Sequence, residues 1–215
     1  LMMRELARRD LIGFQIATNP KYEANWHHEI IAKELEKIEA FGLLIKVLAD
    51  QIGKLMNHSE ISNTLGISAP TLKNYLWYAE NTFILRLLTP YFRNIRSEMS
   101  KSPTVYFHDL GLRNFVLGVL GNLTRPEDRG FAFQNLVFLV LKEKLRGTGA
   151  KIHFWRSKSG AEIDFIVEMG KRVIPIEVKY SEFNQPVIPR SFSGFIGKYA
   201  PERCLVVNRN LKTSL

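Results

Sequence analysis

Two carboxylates and an ammonium in one short stretch are of the types, and at the spacing, that suit a divalent-metal site, the acids as ligands and the amine beside them. Asp164 is followed thirteen positions later by Glu177-Val178-Lys179, within Gly160–Ser181 (GAEIDFIVEMGKRVIPIEVKYS). The stretch predicts a β-hairpin, with strands over Ala161–Glu168 and Val173–Tyr180 and a turn over Met169–Arg172. Alternation puts Ile163, Phe165 and Val167 on one face and Glu162 and Asp164 on the other. In the second strand it separates Ile174, Ile176 and Val178 from Pro175, Glu177 and Lys179. Two carboxylates gathered at one end of adjacent strands supply hard oxygen ligands, and an ammonium one strand-step away orients water or offsets charge. Glu162 reads as a solvated neighbour rather than a further ligand. Solvated hairpins contain the same short pattern by chance, so the elements around it decide its meaning.

The chain has 215 residues, long enough for one large or two small domains. Its hydrophobic content of 46% and charged content of 24% are those of an ordinary globular protein. A net charge of +9 favours phosphate backbones or anionic surfaces as partners. Cys204 is the single cysteine, which excludes an intramolecular disulfide and fits a reducing cytoplasm. No apolar run reaches the ~18 residues a membrane helix needs, and LMMRELARRD lacks the apolar core of a signal peptide, so the expected location is cytoplasmic. The start reads as a chain already in progress.

Helices are predicted over Arg4–Ile16, over Trp26–Ala40, with Ile30, Ile31, Leu35 and Ile38 at helical spacing, and over Leu43–Met56, breaking near Gly53. His27 and His28 are adjacent and cannot share a helix face, which argues against a metal role. In Ser59–Glu80, Ser59 is a candidate cap, Gly66 suits a left-handed turn, and Ser68 with Pro70 opens a second helix. Ile61, Leu65, Ile67, Leu72 and Leu76 form the expected internal seam. This is a helix-turn-helix pattern, with Thr71, Lys73, Asn74 and Trp77 on or near the outward face of the second helix. Two strand-like runs follow, Phe83–Leu88 and Val105–His108, separated by Arg93, Arg96 and Lys101, as in a winged helix with a basic wing. One use is duplex binding, with the helix in the major groove and the wing on phosphates. The other is protein docking, because Lys73 is the only basic residue on the reading helix.

Further on, a helix is expected over Leu112–Leu120, a polar loop over Asn122–Gly130, and a helix over Phe131–Leu145 apolar on so many sides that it should be buried against a sheet. Strands are expected at Ile152–Trp155 and Cys204–Val207, the latter after a loop rich in Pro, Ser and Gly at Pro186–Gly197. The expected fold class is α+β or α/β. Residues 1–104 would form a helical, winged-helix-like domain, and residues 105–215 a domain with a mixed central sheet flanked by helices.

The pattern Asp164…Glu177-Val178-Lys179 resembles the core of the PD-(D/E)XK nuclease superfamily. More narrowly, about Leu43–Ser181 resembles the C-terminal accessory region of a family of prokaryotic AAA-type ATPases, a winged helix followed by a nuclease-like domain. The matching residues are Leu65-Gly66-Ile67-Ser68 with Thr71 and Tyr75-Leu76, then Val105-Tyr106-Phe107 with Asp109 and Gly111. Gly130 with Asn135 and Val137, Trp155-Arg156 with Gly160, Glu162-Ile163-Asp164-Phe165 and Ile176-Glu177-Val178-Lys179 complete the set. The resemblance implies Mg2+ on Asp164 and Glu177, water activation by Lys179, DNA as the partner, and an ATPase domain in cis or in trans. Two departures stand out. No G-x-x-x-x-G-K-[ST] occurs, so this chain has no P-loop ATP site. Gln134 stands where the family usually has Glu, and its neutral amide is a weaker ligand for a hard cation. The enzyme reading is a Mg2+-dependent deoxyribonuclease using Asp164, Glu177, Lys179 and Gln134. The alternative is a non-catalytic DNA- or protein-binding module on a degenerate nuclease fold. Oligomeric state is left open.

Overall fold

A computed structural model describes residues 26–92, 102–121, 123, 125–157, 160–185, 188–210 and 212, with side chains from residue 34 onward. The expected helix Arg4–Ile16 and the wing residues Arg93, Arg96 and Lys101 lie outside the described residues. The chain forms two compact units, Leu1–Ile45 and Lys46–Leu215. Trp26–Asp50 is one continuous helix, α1, rather than two, and the chain turns only after it, at Gln51–Leu55.

Within Lys46–Leu215, helix α2 (His58–Leu65) and helix α3 (Ala69–Asn81) are joined by a tight turn. Gly66 adopts φ 64°, a conformation that costs a residue with a Cβ, and its N–H closes the end of α2. Asn57, not Ser59, caps α2, its side chain accepting from the Glu60 N–H at 3.2 Å. Ser68 caps α3 as expected, with Pro in its first turn. Ile61, Leu72 and Leu76 are buried, whereas Leu65 and Ile67 are only half-buried.

Strands β1 (Leu85–Leu88) and β2 (Thr104–Phe107) pair antiparallel, Leu85 opposite Phe107. Helices α4 (Leu110–Val116) and α5 (Pro126–Lys144) follow. The expected loop Asn122–Gly130 is therefore half helix, because Pro126 occupies the first helical turn, where its missing N–H costs nothing. The second sheet has the order β3 (Lys151–Arg156), β4 (Glu162–Met169), β5 (Arg172–Val178), β6 (Leu205–Val207), antiparallel except for the parallel β5–β6 edge. Helix α6 (Arg190–Tyr199) replaces most of the loop expected before β6. The two sheets are stitched together: the Tyr91 N–H donates to the Phe154 carbonyl at 2.6 Å, and the Phe154 N–H to the Thr89 carbonyl at 3.3 Å. The architecture is α+β, a mixed sheet with helices packed on it.

Two cores sandwich the four-stranded sheet. On one side Trp155, Ile163, Ile166 and Val173 pack with Phe192, Phe195 and Tyr199 of α6. On the other, Phe165 meets Tyr106 of β2, which stacks on Phe138 of α5 at a centroid distance of 5.0 Å. Helix α5 is less enclosed than its composition predicts, since Leu136 and Val140 remain exposed.

Strict alternation along β4 fails at one point. Trp155 pairs with Ile163 but His153 with Ile166, so β4 carries one extra residue against β3, a β-bulge at Asp164–Phe165. Ile163 and Ile166 thus share the α6 side, while Phe165 faces Tyr106. The expectation that Ile163, Phe165 and Val167 share one face is corrected accordingly.

Candidate metal and nucleic-acid sites

The bulge re-aims Asp164. Its Oδ1 accepts from Gln134 Nε2 on α5 at 2.9 Å, and its Oδ2 accepts from the Val178 backbone N–H on β5 at 2.7 Å. The described β4–β5 pairing ends at Phe165 and Ile176, and the Asp164 carboxylate takes over as acceptor beyond it. The same Gln134 Nε2 donates to the Tyr106 hydroxyl at 2.8 Å. Lys179 Nζ lies 2.7 Å from Glu177 Oε1, and Ser191 of α6 donates to Glu177 Oε2 at 3.4 Å. Asp164 is therefore met from α5 and the buried Glu177 from α6, at the end of β5 where Lys179 leaves the strand.

Electrostatics tie the two carboxylates together. Burial, then the nearby Glu177 charge, push the Asp164 carboxyl up to about 7, against the opposing pull of the Val178 N–H and Lys179. Burial works against the Lys179 ammonium, but its hydrogen bond and charge contact with Glu177, helped by Asp164, hold its pKa above the usual value. Burial, with Asp164 adding to it, keeps the Tyr106 hydroxyl protonated well beyond its ordinary range. Glu162 lies instead against Arg156 at 2.6 Å, on the exposed rim.

A cavity of about 20 Å³, room for one water-sized species, opens beside Gly53, Tyr106, Gln134, Glu162 and Asp164. Gly53 is at φ 70°, and a Cβ there would sit 2.8 Å from Gln134 Oε1. Bare backbone at this position is what leaves the amide its place. Among the described residues no group of three or more His, Cys, Asp or Glu is arranged to hold a metal. Asp164 and Glu177 are carboxylates of the kind Mg2+ takes, but Gln134 turns its NH2 group rather than its oxygen toward Asp164, so two side chains at most would hold a cation here and the rest of its shell would be water or phosphate.

Tyr106, Ser191 and the Val178 N–H join this cluster without any signal in the hairpin's own sequence. Asn135, beside Gln134, is fully buried: it accepts from the Phe107 N–H at 2.7 Å and donates to the Phe107 carbonyl at 2.8 Å, acting as a strand partner for β2.

On α3, Lys73 and Asn74 are exposed and Thr71 is half-buried, its hydroxyl 2.8 Å from that of Ser68. Trp77 and Tyr78 beside them are also exposed, their rings edge to face at 5.4 Å. No helix among the described residues is long and apolar enough to cross a membrane.

The fold is of the α+β class. Residues 30–122 match the family model described as a domain of unknown function (DUF8612), and residues 129–214 match a second, a domain of unknown function (DUF4143). An uncharacterized protein of Mycobacterium tuberculosis is 29% identical over 152 residues, covering 67% of this chain and 32% of that protein. An uncharacterized protein of Mycobacterium bovis matches with the same values. One of Haemophilus influenzae is 29% identical over 142 residues, covering 64% of this chain and 33% of its own length. The matched segment thus spans about a third of these relatives. No solved structure matches the chain.

Proposed function

We propose that this chain is a nucleic-acid-handling region with a PD-(D/E)XK-like site, carried beside an AAA-type ATPase. The observation that carries the reading is the meeting of Asp164, Gln134, Glu177 and Lys179 across β4, β5 and α5, with Glu177 and Lys179 in contact at 2.7 Å. Models of the type matched at 129–214 commonly accompany AAA-type ATPase regions, and a relative of which the matched segment is only 32% has room for such a domain. When bound, Mg2+ would polarise the phosphate and lower the pKa of an attacking water. Asp164 and Glu177 would hold it, Lys179 would orient the water and offset developing charge, and Gln134 would hold Asp164 in place. In the nucleic-acid reading, α2 and α3 with the β1–β2 hairpin act as a winged helix, offering Thr71, Lys73 and Asn74 on α3 to a duplex and Arg93, Arg96 and Lys101 to phosphates.

One observation favours binding without cleavage. Gln134 presents an NH2 group to Asp164, whose carboxyl sits at about 7, so this group holds a proton about half the time at neutral pH. The test is a nuclease and binding assay on one preparation, with Mg2+ or Mn2+ and DNA of several forms. Metal-dependent cleavage that disappears in Asp164→Ala and Lys179→Ala supports the enzyme. Salt-sensitive binding without cleavage supports the binding module, because phosphate contacts release counterions. Neither cleavage nor salt-sensitive binding would remove DNA from the reading.

A further inference from the structure

A second cavity, of about 460 Å³, opens at the other end of the sheet, where Lys151 pairs with Glu168 rather than near Asp164. That volume lies in the range of small-molecule sites. Its apolar wall includes Phe83, Phe138 and Leu145, and its cations are Arg86, Lys142 and Lys151. Lys142 Nζ lies 3.2 Å from His108 Nδ1. Burial, then Lys142 and Arg86, press the His108 pKa down to about 4, so the ring is neutral and accepts from the ammonium without neutralising it. Glu80, the acid on the lining, spends Oε1 on the Leu87 N–H at 2.9 Å and meets Arg86 only at 3.9 Å. Among the described residues neither Lys142 nor Lys151 forms an ion pair. The cavity therefore carries positive charge in excess.

Phe83 supplies the second, independent observation. It sits just past the end of α3 at φ 59°, with its N–H on the Glu80 carbonyl at 3.2 Å and the Ile84 N–H on the Ala79 carbonyl at 3.0 Å. This is a Schellman closure, and glycine is the residue that suits its left-handed position. A phenylalanine there is strained, and burial does not compensate, since the residue is 74% exposed. Its ring lies 6.3 Å from His108, which lies 6.2 Å from Phe138, so an aromatic row runs from the rim to the floor.

We infer that this cavity binds a phosphorylated, ring-bearing small molecule of the nucleotide class, with its phosphate on Arg86, Lys142 and Lys151 and its ring on Phe83. A guanidinium grips phosphate through paired donors, and two ammonium groups add charge. An exposed aromatic edge stacks on a planar base of any sequence. The chemistry is shared by a free nucleotide and the phosphorylated end of a strand.

The test is calorimetric titration of the whole chain with adenosine 5′-monophosphate, adenosine, inorganic phosphate and a 5′-phosphorylated trinucleotide. The monophosphate is expected to bind at least tenfold more tightly than adenosine or phosphate alone. Binding of the trinucleotide as tight as the monophosphate assigns the site to strand ends, and weaker binding assigns it to free nucleotides. Lys142→Glu is expected to weaken the monophosphate at least tenfold, while Asp164→Asn leaves it unchanged. Phe83→Gly is expected to weaken the monophosphate severalfold and leave phosphate unaffected, yet raise the unfolding midpoint by about 2–4 °C as the backbone strain is relieved. No saturable binding, binding indifferent to Lys142→Glu, loss of binding in Asp164→Asn, or a Phe83→Gly protein that is more stable and binds as before would each overturn the inference.

Discussion

Asp164→Asn should make the protein more stable at about pH 8 and leave it nearly unchanged near pH 4. The carboxyl titrates at about 7 in the folded chain, against ~3.9 when unfolded. Between those values the folded state keeps a proton that the unfolded state has lost, so stability falls as pH rises through this window and the full cost is present above pH 7. A shift of that size corresponds to at most ~4 kcal/mol, and relaxation around a half-buried group brings the expected effect to about 2–3 kcal/mol. Asparagine carries no charge to desolvate. Turning the Gln134 amide over would let its oxygen accept from the new Asn NH2 and from the Tyr106 hydroxyl, so the network survives the change.

The assay is urea unfolding of both proteins across pH 4–8. The difference curve is what matters, because His108 opposes Asp164 in the wild type. Burial, Lys142 and Arg86 hold its pKa at about 4, so its contribution is present above ~6.5 and is lost as pH falls towards 4. Its partial exposure limits that contribution to about 1–2 kcal/mol. The two slopes oppose over pH 4–6.5, and the wild-type curve is shallow there. Millimolar Mg2+ adds a second arm: a cation that needs the ionised carboxylate raises the wild-type midpoint more at pH 8 than at pH 6 and does not move Asp164→Asn. A difference between the proteins that does not vary with pH, or a variant less stable at pH 8, refutes the reasoning about Asp164.

Arg113 is fully buried, donating to the Ala49 carbonyl at 3.0 Å and to Asp128 at 3.4 Å, while Asp128 also holds Arg125 at 2.7 Å. Burial raises the Asp128 carboxyl, but Arg125 and then Arg113 more than offset this and leave it below its usual range. Arg113→Ala should cost ~3 kcal/mol by urea unfolding, the low end for a broken buried pair because Arg125 remains. Asn135→Leu leaves the Phe107 N–H and carbonyl without their side-chain partner and should cost ~2–4 kcal/mol in the same measurement. Gly53→Ala combines a positive φ with a Cβ 2.8 Å from Gln134 Oε1, and should cost ~1–2 kcal/mol. The side-chain amide NMR signals of Gln134 should move with it, and unmoved signals would show that Gly53 does not support that amide.

The hairpin was legible because its strands alternate and its charges cluster, and both are local properties. The bulge was not. Nothing in Glu162-Ile163-Asp164-Phe165 is a glycine or proline that would flag an extra residue, and the register shift appears only against β3. Helix α6 was hidden for the opposite reason. Its sequence carries Gly194, Gly197 and two serines, which weaken helix propensity, yet Phe192, Phe195 and Tyr199 recur at helical spacing and their burial overrides the propensity. Two helix starts were misplaced: α2 is capped at Asn57, two residues before the expected Ser59, and α5 starts at Pro126, five residues before the expected Phe131.

Gln134 and Asn135 show how far apart sequence and site can lie. Two consecutive amides on α5 grip two consecutive residues of β2: Gln134 holds the Tyr106 hydroxyl and Asn135 the Phe107 backbone. That clamp fixes the position of α5 against the sheet, and the Gln134 contact with Asp164 follows from it. A glutamate at 134 would face Asp164 with a third carboxylate beside Glu177, a cluster that only a cation or bound protons could neutralise. The glutamine here donates a hydrogen bond instead, and with Lys179 on Glu177 the cluster is already internally satisfied. Exchanging one carboxylate oxygen for an amide nitrogen thus turns a site that demands a metal into one that can stand without it, and Gln134→Glu, by supplying a third acid, should make the urea midpoint depend more steeply on Mg2+ than the wild type's does.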